Sequence, residues 1–122
     1  MRILFAEDMA ATRAAMQAVM EAAGHEVVSA KDGAEAMRHL EQGGFDAAVL
    51  DIWMPLQSGL DVLQHVRNRG DSLPIILISG GGPGASLEQA ATLGDLHGAN
   101  AILFKPVADA ELLATLRNVT AN

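Results

Sequence analysis

The chain has 122 residues, half of them apolar, and no cysteine. This length fits one domain with its own core, and the lack of cysteine excludes disulfides, thiol chemistry and thiolate zinc sites. Eight Lys and Arg against 15 Asp and Glu give a net charge of -7, so we expect no direct nucleic-acid binding. With no targeting segment and no apolar stretch near the roughly 20 residues of a membrane span, we expect a cytoplasmic protein without membrane contact.

Five short apolar runs along the chain predict strands. They are Ile3 to Ala6, Glu26 to Ala30, Ala47 to Leu50, Ile75 to Ile78 and Ala101 to Phe104. Three of them are almost purely apolar, which is typical of strands buried on both faces of a sheet. The run at 26–30 is less apolar, and we expect that strand nearer an edge.

Apolar residues at helical spacing predict a helix after each strand. Their positions are Met16, Val19, Met20 and Ala23; Ala36, Met37 and Leu40; Leu60, Leu63 and Val66; Leu87, Ala90 and Ala91; and Leu112, Leu113, Leu116 and Val119. Strands that alternate with helices predict an α/β fold with a parallel sheet and helices on both faces, in one domain over residues 1–122. The glycine-rich patch at 80–84 lacks the lysine and hydroxyl of a phosphate-binding loop, so we interpret it as a flexible connection.

Polar side chains stand where the predicted strands end. Glu7 and Asp8 follow the first strand, Asp51 follows the third, Ser79 ends the fourth and Lys105 ends the fifth. In an open parallel sheet, ligands bind beyond the carboxyl ends of the strands. We therefore expect these five residues to meet at one edge of the sheet.

Three carboxylates at one edge repel each other strongly. Two unit charges about 4 Å apart cost roughly 4 kcal/mol at an effective dielectric constant of about 20. Lys105 is one cation that would relieve this repulsion, and a hard divalent ion with oxygen ligands, Mg²⁺ first, is the natural second. A carboxylate can attack a phosphoryl group and form an aspartyl phosphate. The lysine, the ion and the Ser79 hydroxyl would then stabilise the transferring group.

These residues resemble the receiver domains of response regulators in two-component signalling. The resemblance rests on Glu7-Asp8, the stretch from Asp51 to Pro55 with Gly59 behind it, Ser79, and Lys105-Pro106, in this order. It covers essentially the whole chain. It implies a flavodoxin-like doubly wound (βα)5 sandwich with a five-stranded parallel sheet in the order 2-1-3-4-5.

The resemblance also implies a role for each site residue. Asp51 would accept the phosphoryl group, Lys105 would pair with it and Ser79 would donate a hydrogen bond to it. The implied metal ligands for Mg²⁺, or Mn²⁺, are Asp8, Asp51 and the backbone carbonyl of Trp53, with Glu7 acting mainly through water. A histidine kinase or phosphotransfer protein would supply the phosphoryl group, and the switched domain would control a downstream protein. Such a domain phosphorylates and dephosphorylates itself and is not an enzyme with a turnover substrate.

Two positions depart from the family pattern. Three residues before the lysine, where the family often has an aromatic side chain that reports phosphorylation, this chain has Ile102. A β-branched aliphatic side chain has no ring to swing, so the route by which the signal leaves the site stays open. Ala108 stands where a cap usually precedes the last helix, and alanine is a poor cap.

Other functions compete with a receiver that acts alone. The chain could be the receiver part of a longer, DNA-binding regulator, a docking module that ignores phosphorylation, or an aspartyl-phosphate hydrolase. The start at Met1 and the absence of a linker pattern after Thr120 favour a receiver acting alone. A docking module has no need of this site, and a hydrolase would need a larger substrate cover. The oligomeric state is left open by the sequence.

Overall fold

Five parallel strands form one sheet in the computed structural model, which describes residues 1–80 and 98–121. The strands are β1 (Arg2–Ala6), β2 (Glu26–Ala30), β3 (Ala47–Asp51), β4 (Ile75–Ser79) and β5 (Ala101–Phe104). They lie in the order β2-β1-β3-β4-β5, with every neighbouring pair parallel. The predicted sheet and its order are confirmed, and the less apolar strand β2 lies at an edge as expected.

Four helices pack on this sheet in the described part of the chain. They are α1 (Ala10–Ala22), α2 (Gly33–Gln42), α3 (Gly59–Asn68) and α4 (Asp109–Thr120). The helix named α4 is the fifth of the predicted helices. The fourth predicted helix, with Leu87, Ala90 and Ala91, lies outside the described residues, as does most of the glycine-rich patch.

The strand β3 is one residue longer at its carboxyl end than predicted, because it includes Asp51, whereas β4 ends at Ser79 as expected. Asp51 pairs with Ile78 and Ser79 pairs with Phe104, so both polar residues belong to the sheet. The backbone ladder continues past the last apolar side chain because its hydrogen bonds do not depend on side-chain polarity. These two site residues are therefore held by the sheet itself and not by a loop.

Alternate residues of each strand bury their side chains on opposite faces of the sheet. On β1, Leu4 and Ala6 pack into a core with α2 and α3, while Ile3 and Phe5 pack into a core with α1 and α4. β3 and β4 are buried along their whole length. Each fully buried aliphatic or aromatic side chain contributes about 1.5–3 kcal/mol, and these two cores hold the strand ends rigid.

The helix starts divide into capped and uncapped ones. The Asp32 side chain accepts a hydrogen bond from the Glu35 N–H at the start of α2, and Ser58 and Asp61 form a reciprocal capping box at α3. No side chain caps α1 or α4, so the expectation for Ala108 is confirmed. A good cap contributes about 1 kcal/mol, so α1 and α4 depend more on packing than α2 and α3 do.

Candidate functional site

The structure brings the predicted carboxylates and the lysine together at the carboxyl edge of the sheet. Glu7, Asp8 and Asp51 each offer an oxygen, and these oxygens all lie within 4.8 Å of one another. The Lys105 Nζ atom donates to both oxygens of Glu7, at 3.1 and 3.0 Å, and to Oδ2 of Asp51 at 2.9 Å. One lysine is thus shared between two buried carboxylates.

Glu7 and Asp8 differ in exposure although they are neighbours. Glu7 continues the β1 ladder, because its N–H donates to the carbonyl of Ala30 at 3.0 Å, and its side chain is fully buried. The Met9 N–H donates to Oε1 of Glu7 at 3.3 Å. Asp8 is exposed. The carboxylate pair therefore has one member inside the site and one at its solvent side.

Asp51 is the last residue of β3 and is only 3% exposed. Its Oδ1 atom accepts from the Trp53 N–H at 3.1 Å, while Oδ2 accepts from Lys105. Gly59 begins α3 directly against the Asp51 backbone, and a Cβ atom there would collide with the Asp51 carbonyl oxygen. Gly59 therefore lets α3 start close behind the carboxylate, as its place in the motif suggests.

The Trp53 side chain lies partly in the core. It is half-buried and packs against the core formed with α2 and α3. Its Nε1 atom is buried and has no hydrogen-bond partner among the described residues. The ring nitrogen is therefore shielded from solvent.

Ser79 ends β4, the strand next to β3, and is 1% exposed. Its carbonyl accepts from the Lys105 N–H at 2.9 Å, which fixes the lysine beside it. The Ser79 hydroxyl is buried without a hydrogen-bond partner in the described part of the chain. A buried hydroxyl without a hydrogen-bond partner costs about 1–3 kcal/mol. Binding of a ligand whose oxygen accepts a hydrogen bond from this hydroxyl would therefore be favoured.

Gly80 follows Ser79 and leaves room for the lysine. A Cβ atom at Gly80 would lie 2.9 Å from Cδ of Lys105, closer than such atoms ordinarily approach. A larger residue would therefore push the lysine stem. The small residue keeps the Lys105 side chain on its path to Glu7 and Asp51.

Burial and charge set the protonation of the site. Burial of Glu7, together with its hydrogen bond to Asp51, raises the pKa of Glu7 to about 7, although Lys105 opposes this rise. Burial alone would lower the pKa of Lys105, but its hydrogen bonds to Asp51 and Glu7 outweigh burial and raise it. The lysine is therefore charged near neutral pH, and Glu7 gains or loses its proton in the same pH range.

The donor set fits a hard divalent cation. All three candidate side chains offer carboxylate oxygens, which Mg²⁺ and similar ions prefer, and none offers sulfur or imidazole. Burial first, and the neighbouring Asp51 carboxylate after it, raise the pKa of Glu7, and a bound cation would favour the ionised form of Glu7. The acidic group of Glu7, Asp8 and Asp51 could therefore hold a metal ion.

Arg13 is a neighbour of the site that the sequence pattern missed. Its Nη1 atom donates to the backbone carbonyl of Glu7 at 2.8 Å and lies 3.5 Å from that of Asp8. A cation in the first turn of a helix opposes the helix dipole, and this was the available signal. It was weak, because a helical arginine is usually only a solvated surface residue.

Comparison with known proteins identifies the class. The family model described as "Response regulator receiver domain" matches residues 3–117. The chain therefore belongs to the response regulator receiver family and is a receiver domain of phosphorelay signalling.

Individual relatives agree with this assignment. The chain is 38% identical over 117 residues to "Response regulator MprA" of Mycobacterium leprae, covering 96% of this chain and 50% of that protein. It is 37% identical over 110 residues to "Regulator of RpoS" of Escherichia coli K12, covering 88% of this chain and 31% of the relative. The chain thus spans half or less of the length of these curated relatives.

Solved structures show the same architecture. The chemotaxis protein CheY4 of Vibrio cholerae matches with a TM-score of 0.85 and 29% identity, covering 97% of both chains. Within the described residues, no helix is long and apolar enough to cross a membrane.

Proposed function

We propose that Asp51 accepts a phosphoryl group and that this transfer switches the domain. The observation that carries the proposal is the set of donors around this one carboxylate. Its two oxygens are held by the Trp53 N–H and by Lys105. The hydroxyl of Ser79, which has no partner among the residues that the structure describes, lies on the adjacent strand. Asp51 is thus fixed in position while nearby donors remain for an incoming anion.

The transfer itself follows from these contacts. A carboxylate oxygen of Asp51 attacks the phosphorus atom, a new O–P bond forms, and the bond to the donor's leaving group breaks with its electrons on that group. Lys105 then donates to the phosphoryl oxygens, and the Ser79 hydroxyl gains the acceptor it lacks. Attack by water on the acyl phosphate returns Asp51 and inorganic phosphate, so the domain resets without a turnover substrate of its own.

A divalent cation belongs to this proposal. Asp8, Asp51 and the Trp53 carbonyl would hold Mg²⁺, or Mn²⁺ in its place, with Glu7 acting mainly through water. When bound, the ion would neutralise charge that develops on the phosphoryl oxygens. Exposed Asp8 lies on the solvent side of the buried pair, where a hydrated ion could approach.

The partners of the domain are also proposed and not observed. A histidine kinase or phosphotransfer protein would donate the phosphoryl group, and a downstream protein would respond to the switched domain. We place one receiver domain over residues 1–122 and the protein in the cytoplasm. The match over residues 3–117 supports the first of these statements, and the family resemblance supports the second.

One experiment tests the function. The protein is incubated with acetyl phosphate, with and without Mg²⁺, and its intact mass is measured. We expect one added phosphoryl group that requires Mg²⁺ and is absent in Asp51→Asn. Asp109→Asn, an exposed position at the start of α4, is the matched control and should still be labelled. No added mass with any small phosphodonor would reject the proposal and favour a docking module.

A further inference from the structure

Arg13 stands where helix stability gives no reason for it. It lies in the first turn of α1, whose N-cap is Met9 and which has neither a side-chain cap nor an acidic residue in that turn. The partial positive charge at a helix N-terminus repels a cation by about 0.3–1 kcal/mol. A neutral or acidic side chain at this position would interact more favourably with the helix dipole than Arg13 does.

The guanidinium of Arg13 turns back over the loop between β1 and α1. Its Nη1 atom donates to the Glu7 carbonyl at 2.8 Å and reaches toward the Asp8 carbonyl at 3.5 Å. The Met9 N–H donates to the Glu7 carboxylate in the same loop. A charge-assisted hydrogen bond from Arg13 therefore holds the backbone of the loop that carries both acidic residues.

We propose that Arg13 is a positioning residue, which holds Glu7 and Asp8 in the arrangement where their carboxylates meet Asp51. The inference rests on the proposed metal site and extends it by one residue that does not touch the ion. Residues behind metal ligands fix the direction of those ligands, and losing one costs about 10–100-fold in metal affinity.

The sign of the effect separates positioning from simple charge. A nearby guanidinium repels a divalent cation, so charge alone makes Mg²⁺ bind more tightly when Arg13 is removed. Positioning makes Mg²⁺ bind more weakly after the same change. The two explanations cannot give the same result.

Titration calorimetry of Mg²⁺ binding measures this difference. We expect the dissociation constant to rise about tenfold in Arg13→Ala and in Arg13→Gln, whose shorter side chain does not reach the carbonyls. The matched control is Arg38→Ala, an exposed arginine on α2 that carries the same charge, and it should change the constant little. An unchanged or tighter constant in both Arg13 variants would overturn the proposal.

Two metal-free measurements keep the inference separate from the proposed function. Amide hydrogen exchange at Met9 should become faster in Arg13→Ala, while the Ile52 amide, which donates to Ile78 in the sheet, should not change. If the wild-type protein binds no Mg²⁺, the proposed function fails and the Met9 exchange still decides the role of Arg13. A melting temperature that falls in step with affinity in both variants would make Arg13 a general stabilising residue and would overturn positioning.

Discussion

The charged side chains at the two edges of the sheet differ in how far they are paired. At the amino edge, Arg2 makes polar contacts with several neighbouring residues. Its Nε atom pairs with Glu26 at 2.7 Å, its Nη1 atom donates to the Gly43 carbonyl at 3.0 Å, and its backbone N–H donates to Asp46 at 2.7 Å. Its guanidinium also lies 4.5 Å from the centre of the Phe45 ring. Arg2, Glu26 and Asp46 therefore each have a polar partner at this edge.

At the carboxyl edge the charges do not balance. The carboxylates of Glu7, Asp8 and Asp51 lie together, and Lys105 pairs with only two of them, Glu7 and Asp51. The Ser79 hydroxyl is buried without a partner among the described residues. Charged side chains at the amino edge of the same sheet are paired. The fold itself therefore does not require an excess of carboxylates at the carboxyl edge. In a fold whose polar groups are otherwise paired, polar groups without a hydrogen-bond or ion-pair partner indicate where a ligand binds.

Replacing the basic side chain at each edge tests the difference between the two edges. Of the changes described below, we expect this one to have the largest effect on stability. Without metal at pH 8, Lys105→Met should lower the free energy of unfolding by roughly 3 kcal/mol, because two buried carboxylates lose their counter-charge. Arg2→Met should cost only about 1 kcal/mol, since its ion pair is largely exposed. Urea denaturation measures both values. A larger loss for Arg2→Met would contradict the contrast.

Added Mg²⁺ should stabilise the wild-type protein through the carboxyl edge alone. At about 100 times its dissociation constant, the ion should add about 2.7 kcal/mol to the free energy of unfolding. Asp8→Asn should lose most of this gain, and Asp46→Asn at the amino edge should keep it. Melting curves with and without Mg²⁺ measure the gain, and equal gains in the two variants would mean that the ion binds elsewhere.

The raised pKa of Glu7 predicts a pH dependence. In the metal-free folded protein this pKa is about 7, whereas an unfolded glutamate titrates near about 4.3. The contribution of Glu7 to stability is therefore complete below about pH 4.3 and is lost as the pH rises through about 7. Wild-type protein should lose stability relative to Glu7→Gln between pH 5 and pH 8, as measured by denaturation. No change relative to Glu7→Gln over that range would show that Glu7 is ionised throughout in the folded protein.

The same proton competes with the metal ion. Because Glu7 must lose its proton for the acidic group to carry full charge, Mg²⁺ affinity should rise about tenfold from pH 6 to pH 8. Glu7→Gln has no such proton, and its remaining Mg²⁺ affinity should change less over the same range. Calorimetry at the two pH values measures both slopes. Parallel slopes in the two proteins would assign the pH dependence to another group.

Much of the site could be predicted because strand ends are visible in the sequence. Apolar runs located the strands, and the parallel order then required Glu7, Asp51 and Lys105 to converge. The apolar run underestimated β3 by one residue at its carboxyl end, since a backbone ladder has no signature in side-chain polarity. The sharing of one lysine between Glu7 and Asp51 also depends on side-chain conformation, which spacing does not encode.

One contact of the site lay beyond what the sequence pattern could give. The contact of Arg13 with the Glu7 carbonyl joins a side chain to a backbone atom, so the residue type of its partner leaves no trace in the sequence. The departure at Ile102 was visible, and the structure pairs Ile102 with Leu77 and packs it half-buried against the core formed with α2 and α3. Because this position holds an aliphatic side chain, the route by which the phosphorylation signal leaves the site has to be predicted from other residues.

The central claim is that Asp51, among three crowded carboxylates, is the nucleophile. Borohydride reduces an acyl phosphate to the alcohol, so it marks the modified residue permanently. We would treat the protein with acetyl phosphate and Mg²⁺, reduce it, digest it and sequence the peptides by mass spectrometry. We expect homoserine at position 51 and no reduced residue at Asp8 or Glu7. Reduction at Asp8 or Glu7 with position 51 intact would contradict it.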